Sequence, residues 1–283
     1  EVVLMDDQGN TLELGGIETI TGGSGDDSLT VSTNDIETVS GGAGIDEVVL
    51  TDDQGNTLEL DGVEIAVGGD GLDHLTVLDG TSVTMDGGLG ADTLIGGVGD
   101  DTLIGGGGED VVDGGAGSDV FELDGTLGVT AEGGDGSDTV ILVGETNAAS
   151  LSGVETVIGG VGSDSLTIGT NDIETVSGGT GIDEVTLTDD QGNAVEFDGV
   201  EAVTGGSGDD SLTISTNDIE TVSGGTGIDE VTLTDDEGNT LELDGVETIT
   251  GGSGDDSLTI STNEIETVSG GTGIDEVILT DTF

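Results

Sequence analysis

The sequence contains no lysine and no arginine and a single histidine, set against 63 aspartates and glutamates in 283 residues, for a formal net charge of −63. Without a cationic side chain nothing can neutralise phosphate, which excludes nucleic acid as a partner. Anionic membrane surfaces are excluded for the same reason. Cysteine, proline, tryptophan and tyrosine are also absent. No cysteine means no disulfide framework and no thiolate metal site. His74 is the only imidazole, so a zinc enzyme lacks ligands, and Ser-His-Asp or Cys-His chemistry lacks any other base. No apolar run approaches the roughly 18–20 residues that insert across a bilayer, and no basic-then-apolar leader is present. There is no H-E-x-x-H, no G-x-S-x-G and no Walker A pattern. Carboxylate pairs occur everywhere, so their proximity is no evidence of glycosidase chemistry. The chain is expected not to be an enzyme.

Low hydrophobicity combined with high net charge is the composition of disordered chains, and mutual repulsion of the carboxylates opposes any compact state. A compact fold therefore requires positive charge from outside, as metal ions or salt.

What is abundant is glycine, 58 residues, and it is arranged. The nine-residue pattern G-G-x-G-x-D-x-U-x, with U apolar, occurs fourteen times, starting at Gly22, Gly41, Gly68, Gly87, Gly96, Gly105, Gly114, Gly133, Gly159, Gly178, Gly205, Gly224, Gly251 and Gly270. Glycines at positions one, two and four permit positive φ and close backbone approach in a tight turn. Position six is Asp27, Asp46, Asp73, Asp92, Asp101, Asp110, Asp119, Asp138, Asp164, Asp183, Asp210, Asp229, Asp256 and Asp275 in turn. Carboxylates and turn carbonyls are hard oxygen donors of the kind Ca²⁺ takes. Positions six and eight are two apart, so in a strand both side chains point the same way. The aspartate and the apolar residue are both expected to face inward.

Fourteen matches in a regular register, with the segments between them, resemble the haemolysin-type (RTX) calcium-binding nonapeptide repeat over nearly the whole chain. The resemblance implies an all-β fold: a right-handed parallel β-roll, a β-helix-like solenoid with calcium between stacked Gly-rich turns. It implies that the fourteen position-six aspartates are metal ligands and that the turns add carbonyls. Nine residues then make half a coil. Steps of 19 between motif starts return to the same edge of the roll, and steps of 26 or 27 switch edges. Same-edge neighbours are the motifs at Gly22/Gly41, Gly68/Gly87, Gly87/Gly105, Gly96/Gly114, Gly114/Gly133, Gly159/Gly178, Gly205/Gly224 and Gly251/Gly270, which gives about eight best-formed calcium sites. The chain reads as one continuous roll over 1–283. It carries 46-residue-type repeats over 1–86, a regular block over 87–122, an irregular joint over 123–158 and 46-residue repeats over 159–283.

Between the motifs the register persists. Glu18, Glu37, Glu64, Glu155, Glu174, Glu201, Glu220, Glu247 and Glu266 fall at position six of variant turns. Two readings stay open for them: weaker calcium ligands, or acceptors for turn N–H groups and side chains bent out to water. The DDQGNT or DDEGNT turns, as at Asp52–Thr57 and Asp235–Thr240, resemble an EF-hand opening but lack its closing Glu and flanking helices. They read as polar β-turns, with bound calcium as the alternative. Val83 and Val129 replace the acid at position six, so those half-coils are expected to hold no metal. Phe121 and Phe197 read as core, His74 as an outward surface residue, and Phe283 as part of a truncated strand.

A thin core cannot offset chain entropy and carboxylate repulsion, so folding is expected to be coupled to metal binding. By resemblance, the chain passes unfolded through a type I secretion channel and folds outside the cell in millimolar calcium. The expected role is a calcium-binding structural region of a secreted bacterial surface protein: an adhesin stalk, a surface-layer component or an extracellular filament. The alternative is the C-terminal secretion and folding domain of an enzyme or toxin. Expected partners are calcium ions and copies of itself or further repeats end to end. The sequence begins and stops within a repeat, as a window on a longer array would.

Overall fold

A computed structural model describes residues 1–4, 9–51, 53–262 and 265–280. Asp52, Phe283 and the Met5–Gln8 stretch of the first variant turn lie outside the described residues. The chain is all-β: 31 short strands and one 3-10 turn, Gly125–Leu127, among the described residues. It divides into two compact units, Glu1–Ile141 and Leu142–Phe283.

Within each unit every strand pairs in parallel with the next strand but one, so odd and even strands build two separate sheets. In the first unit one sheet runs through Thr38–Ser40, Thr57–Asp61, His74–Val77, Thr93–Val98, Val111–Gly117 and Val129–Gly136. The other runs through Thr11–Leu14, Ser28–Val31, Glu47–Leu50, Ile65–Val67, Thr84–Asp86, Thr102–Gly107 and Val120–Asp124. The second unit repeats the arrangement from Ala148–Ser152 onward. Partners stand one coil apart, as in Ser28↔Glu47 and Thr93↔Val111. This is a parallel β-solenoid with two strands per coil.

The spacing of the motifs decides which sheet each strand joins. The strands after Gly159 and Gly178, a step of 19, pair with each other, Leu166 opposite Val185. The strand after Gly205, a further step of 27, lies in the other sheet and pairs Leu212 with Val231. An odd number of half-coils moves a strand to the opposite sheet, so successive 46-residue repeats alternate.

Strands alternate side chains across their faces, and the inward set is aliphatic. Leu29 stacks on Val48 and Val31 on Leu50, all four at most 3% exposed. Phe121 and Phe197 are fully buried core residues. The outward positions are mostly Thr, Ser and Glu, which suits solvated strand faces. Among the described residues no helix is long and apolar enough to cross a membrane.

The in-and-out alternation makes a paired prediction at one strand. Leu212→Ala should destabilise the calcium-loaded chain by about 2–5 kcal/mol, because it opens a cavity in a fully buried column. Its outward neighbour, Thr213→Ala, should stay within about 0.5 kcal/mol. Denaturant melts of the two variants in saturating calcium read the difference; equal losses would mean that Leu212 does not face the core.

Candidate metal centres in the glycine-rich turns

Each nonapeptide turn is built around its glycines. Gly42 and Gly44, at positions two and four, adopt φ of +108° and +152°, a region side chains rarely enter. Gly41, at position one, is needed for a different reason. A methyl group there would lie 2.6 Å from Oδ2 of Asp46. The missing side chain leaves the space in which the aspartate sits.

Thirteen of the fourteen position-six aspartates are at most 2% exposed, and Asp275 is half-buried. They point inward, into the turn stack, as their spacing from the apolar residue requires. Their Oδ1 atoms have a common use. Each accepts the backbone N–H of the position-six residue one coil earlier. Asp27 donates to Asp46 at 2.8 Å, Asp73 to Asp92 at 2.8 Å, and Asp92 to Asp110 at 2.9 Å. Asp101 donates to Asp119 and Asp119 to Asp138, both at 2.8 Å. In the second unit Asp164 donates to Asp183 and Asp210 to Asp229 at 2.8 Å, and Asp256 to Asp275 at 3.1 Å. These eight links join the eight same-edge motif pairs that the spacing picks out.

The links form ladders with defined ends. The first donor is Asn10, Asn56, Asn147, Asn193 or Asn239, whose N–H reaches the first aspartate at 2.7–2.8 Å. In one ladder it is Val83, donating to Asp101 at 2.8 Å. Val83 and Val129 are themselves buried and bring no oxygen side chain. Three ladders close on a glutamate: Asp46, Asp183 and Asp229 donate to Oε2 of Glu64, Glu201 and Glu247 at 2.7, 2.6 and 2.7 Å.

The nine position-six glutamates therefore do not form one set. Glu64, Glu201 and Glu247 accept N–H groups inside the turn stack. Glu18, Glu37, Glu174, Glu220 and Glu266 are exposed to solvent, although the core residues two places on, such as Val39 and Val176, are buried. The asparagine of the DDxGN turns was the functional residue that sequence reasoning passed over. Its signal was available: Asn56, Asn193 and Asn239 stand two places before the inward Leu58, Val195 and Leu241, as each aspartate does before its own core residue. His74 lies exposed at the start of its strand.

The second aspartate oxygen carries the chemistry. Oδ2 of Asp46, Asp92, Asp101, Asp110, Asp119, Asp164, Asp183, Asp210, Asp229 and Asp256 is buried with no hydrogen-bond donor. The chain has no lysine or arginine to supply a counter-charge. Backbone carbonyls approach the same place. A methyl at Gly68 would lie 2.8 Å from Asp73 Oδ2 and 2.5 Å from the carbonyl of Gly87 in the next coil; at Gly114 the next-coil carbonyl is that of Gly133, at 2.9 Å. Among the described residues no three acidic or imidazole side chains gather into a metal cluster, so the oxygens on offer are a carboxylate and main-chain carbonyls. That donor set fits a hard divalent cation such as Ca²⁺.

Burial pushes the carboxyls of Asp92, Asp119, Asp183 and Asp229 up from their usual range, to about 6. Neighbouring aspartates raise them further, and the accepted backbone N–H partly opposes the shift. Asp46, Asp101, Asp110 and Asp138 are raised for the same leading reason.

The profile of the haemolysin-type calcium-binding family, described as RTX calcium-binding nonapeptide repeat (4 copies), matches residues 86–121 and 243–259. No curated protein matches the chain.

The raised carboxyls dictate a pH dependence for the metal-free chain. A carboxyl whose folded value lies above its unfolded value of 3.8 favours the protonated fold. Its contribution is complete below that value and is lost as pH rises through about 6. In metal-free solution the β circular dichroism signal should therefore be strongest near pH 3.5 and fall towards pH 7. With calcium the order should reverse, since protons and metal compete for the same oxygens. A metal-free signal that increases from pH 4 to 7 would contradict the buried placement of these aspartates.

Proposed function

The chain is an RTX calcium-binding repeat protein with a parallel β-solenoid fold, and we propose that its position-six aspartates hold calcium between stacked turns so that the cation is the counter-charge that lets the solenoid fold. The observation that carries this reading is the set of buried Oδ2 atoms without a donor, most of them, such as those of Asp46, Asp92 and Asp229, beside the first glycine of their own turn. Ca²⁺ suits that place because it accepts six to eight oxygens in flexible geometry. A preformed site does not survive in the unfolded chain, so binding energy becomes folding energy.

The role that follows is mechanical. The solenoid is a structural, non-catalytic fold. Near-identical repeats of 46 residues, such as those starting at Gly159 and Gly205, extend it without adding a new kind of site. This favours the calcium-stiffened part of a secreted surface protein, an adhesin stalk, a surface-layer component or a filament. Export would proceed through a type I channel while the chain is unfolded in low calcium, with folding outside. The ends of such a roll would meet further repeats or further copies.

A calcium titration followed by circular dichroism tests the coupling. The expected result is a cooperative coil-to-β transition between micromolar and millimolar calcium, reversed by chelator and not reproduced by magnesium at the same concentration. β-structure that persists in chelator at pH 7 would refute the switch. The site assignment has its own test. Asp101→Ala removes a ligand and leaves the buried N–H of Val83 without its acceptor, a loss of about 1–3 kcal/mol. It should also bind at least one calcium ion fewer in equilibrium dialysis. Unchanged stoichiometry would count against Asp101 as a ligand.

A further inference from the structure

The DDxGN turns hold buried oxygens that the aspartate ladders do not use. Asn56, Asn193 and Asn239 are at most 2% exposed. Their amide nitrogens are fully engaged. Nδ2 of Asn56 and Asn193 donates to Oδ1 of Asp73 and Asp210 at 2.9 and 3.0 Å. Nδ2 of Asn239 has three acceptors within reach: Oδ2 of Asp235 at 3.0 Å, the carbonyl of Glu237 at 3.3 Å and Oδ1 of Asp256 at 3.3 Å. The amide thus lies inside its own turn, among oxygens. In all three residues the amide oxygen, Oδ1, is buried and accepts nothing.

The first aspartate of the turn is the other unexplained group. In the turn Asp189–Asn193, Oδ1 of Asp189 accepts the N–H of Gln191 at 3.0 Å, while its Oδ2 is buried with no donor. In the turn Asp235–Asn239, the matching Oδ1 accepts the N–H of Glu237 at 2.9 Å, and Oδ2 takes the amide of Asn239. The carbonyls of Gln191 and Glu237 accept from Nδ2 of the same asparagines, at 3.4 and 3.3 Å. Each turn therefore brings a carboxylate, an amide oxygen and a main-chain carbonyl into one short segment, in a chain with no lysine or arginine to answer them.

We propose that the DDxGN turns Asp189–Asn193 and Asp235–Asn239 are a second class of divalent-cation site, formed by Oδ2 of the first aspartate, Oδ1 of the asparagine and the carbonyl of the third residue, as in Asp189, Asn193 and Gln191. Asparagine, rather than a second aspartate, suits both of its tasks. Its Nδ2 supports the first aspartate of the ladder, which a carboxylate would repel. Its Oδ1 adds a donor oxygen without adding charge. Hard oxygens of mixed type, carboxylate, amide and carbonyl, are what Ca²⁺ selects. The site differs from the glycine-rich pairs in having all three donors on one turn. The inference rests on calcium uptake by this chain but not on which turns of the aspartate ladders take it.

Equilibrium dialysis with ⁴⁵Ca on the full chain tests the site. Asp189→Asn with Asp235→Asn keeps an acceptor for the turn N–H and removes the charge. This pair should bind two calcium ions fewer than the unaltered chain. The control, Asp190→Asn with Asp236→Asn, removes the same charge from exposed neighbours and should bind the full number. Equal counts in both variants and in the unaltered chain, or equal losses in both variants, would overturn the proposal. A crystal of the unaltered chain grown with europium gives a reading that does not depend on any variant folding. An anomalous peak beside Asn193 Oδ1 is expected. Peaks confined to the glycine-rich turns would overturn this site alone, whereas a chain that binds no metal at any turn would overturn the calcium function itself.

Discussion

Everything in this protein depends on burying carboxylates without a single cationic side chain to neutralise them. A charged group taken out of water has to be paired, hydrogen-bonded or protonated. Here the pairing partners of the position-six aspartates within the protein are backbone N–H groups and the amides of the ladder-starting asparagines. The chain spends one oxygen of each position-six aspartate on the N–H of the preceding coil and, in most of them, leaves the other buried without a donor. The first oxygen ties coil to coil; the second creates a demand that only a proton or a metal ion can meet. Structure and ion binding are thus two halves of one residue.

The ladders also explain why the repeat is 46 residues long. Along an edge within a unit, the order is asparagine, aspartate, aspartate, glutamate, as in Asn193, Asp210, Asp229 and Glu247. The asparagine begins the ladder because it donates twice, through N–H and Nδ2, to one carboxylate oxygen. The glutamate ends it because its longer side chain reaches the last aspartate N–H from a turn with a different backbone, where Gly245 holds φ at +59°. Two glycine-rich turns stand between, and each such pair is a complete structural unit. The 19-plus-27 spacing places the next pair on the other sheet, so successive pairs alternate between the two edges.

The sheet pairing was legible because strand side is a matter of counting half-coils. Leu166 faces Val185, and Leu212 sits in the other sheet, for no reason beyond 19 and 27 residues of spacing. The inward aspartates were legible for a similar reason, since a period of two fixes Asp210 and Leu212 to one face. The glutamates were not. Glu37 and Glu64 stand in closely similar local sequences, each followed two places on by a buried core residue. One is exposed and the other accepts the N–H of Asp46. The difference is what lies one coil earlier: a second glycine-rich aspartate turn beneath Glu64, and the variant turn of Glu18 beneath Glu37.

By itself, then, the sequence determined the solenoid, the sheet to which each strand belongs, and the inward face that holds the aspartates. Those features follow from periodicity and from glycine, which act within a few residues. Only the tertiary structure decided which oxygen of each carboxylate is satisfied, where each ladder starts and stops, and that Asn193 and Asn239 are part of them. Those bonds join residues 17 to 19 positions apart. Their partners exist only once the coils are stacked, so no local pattern could specify them.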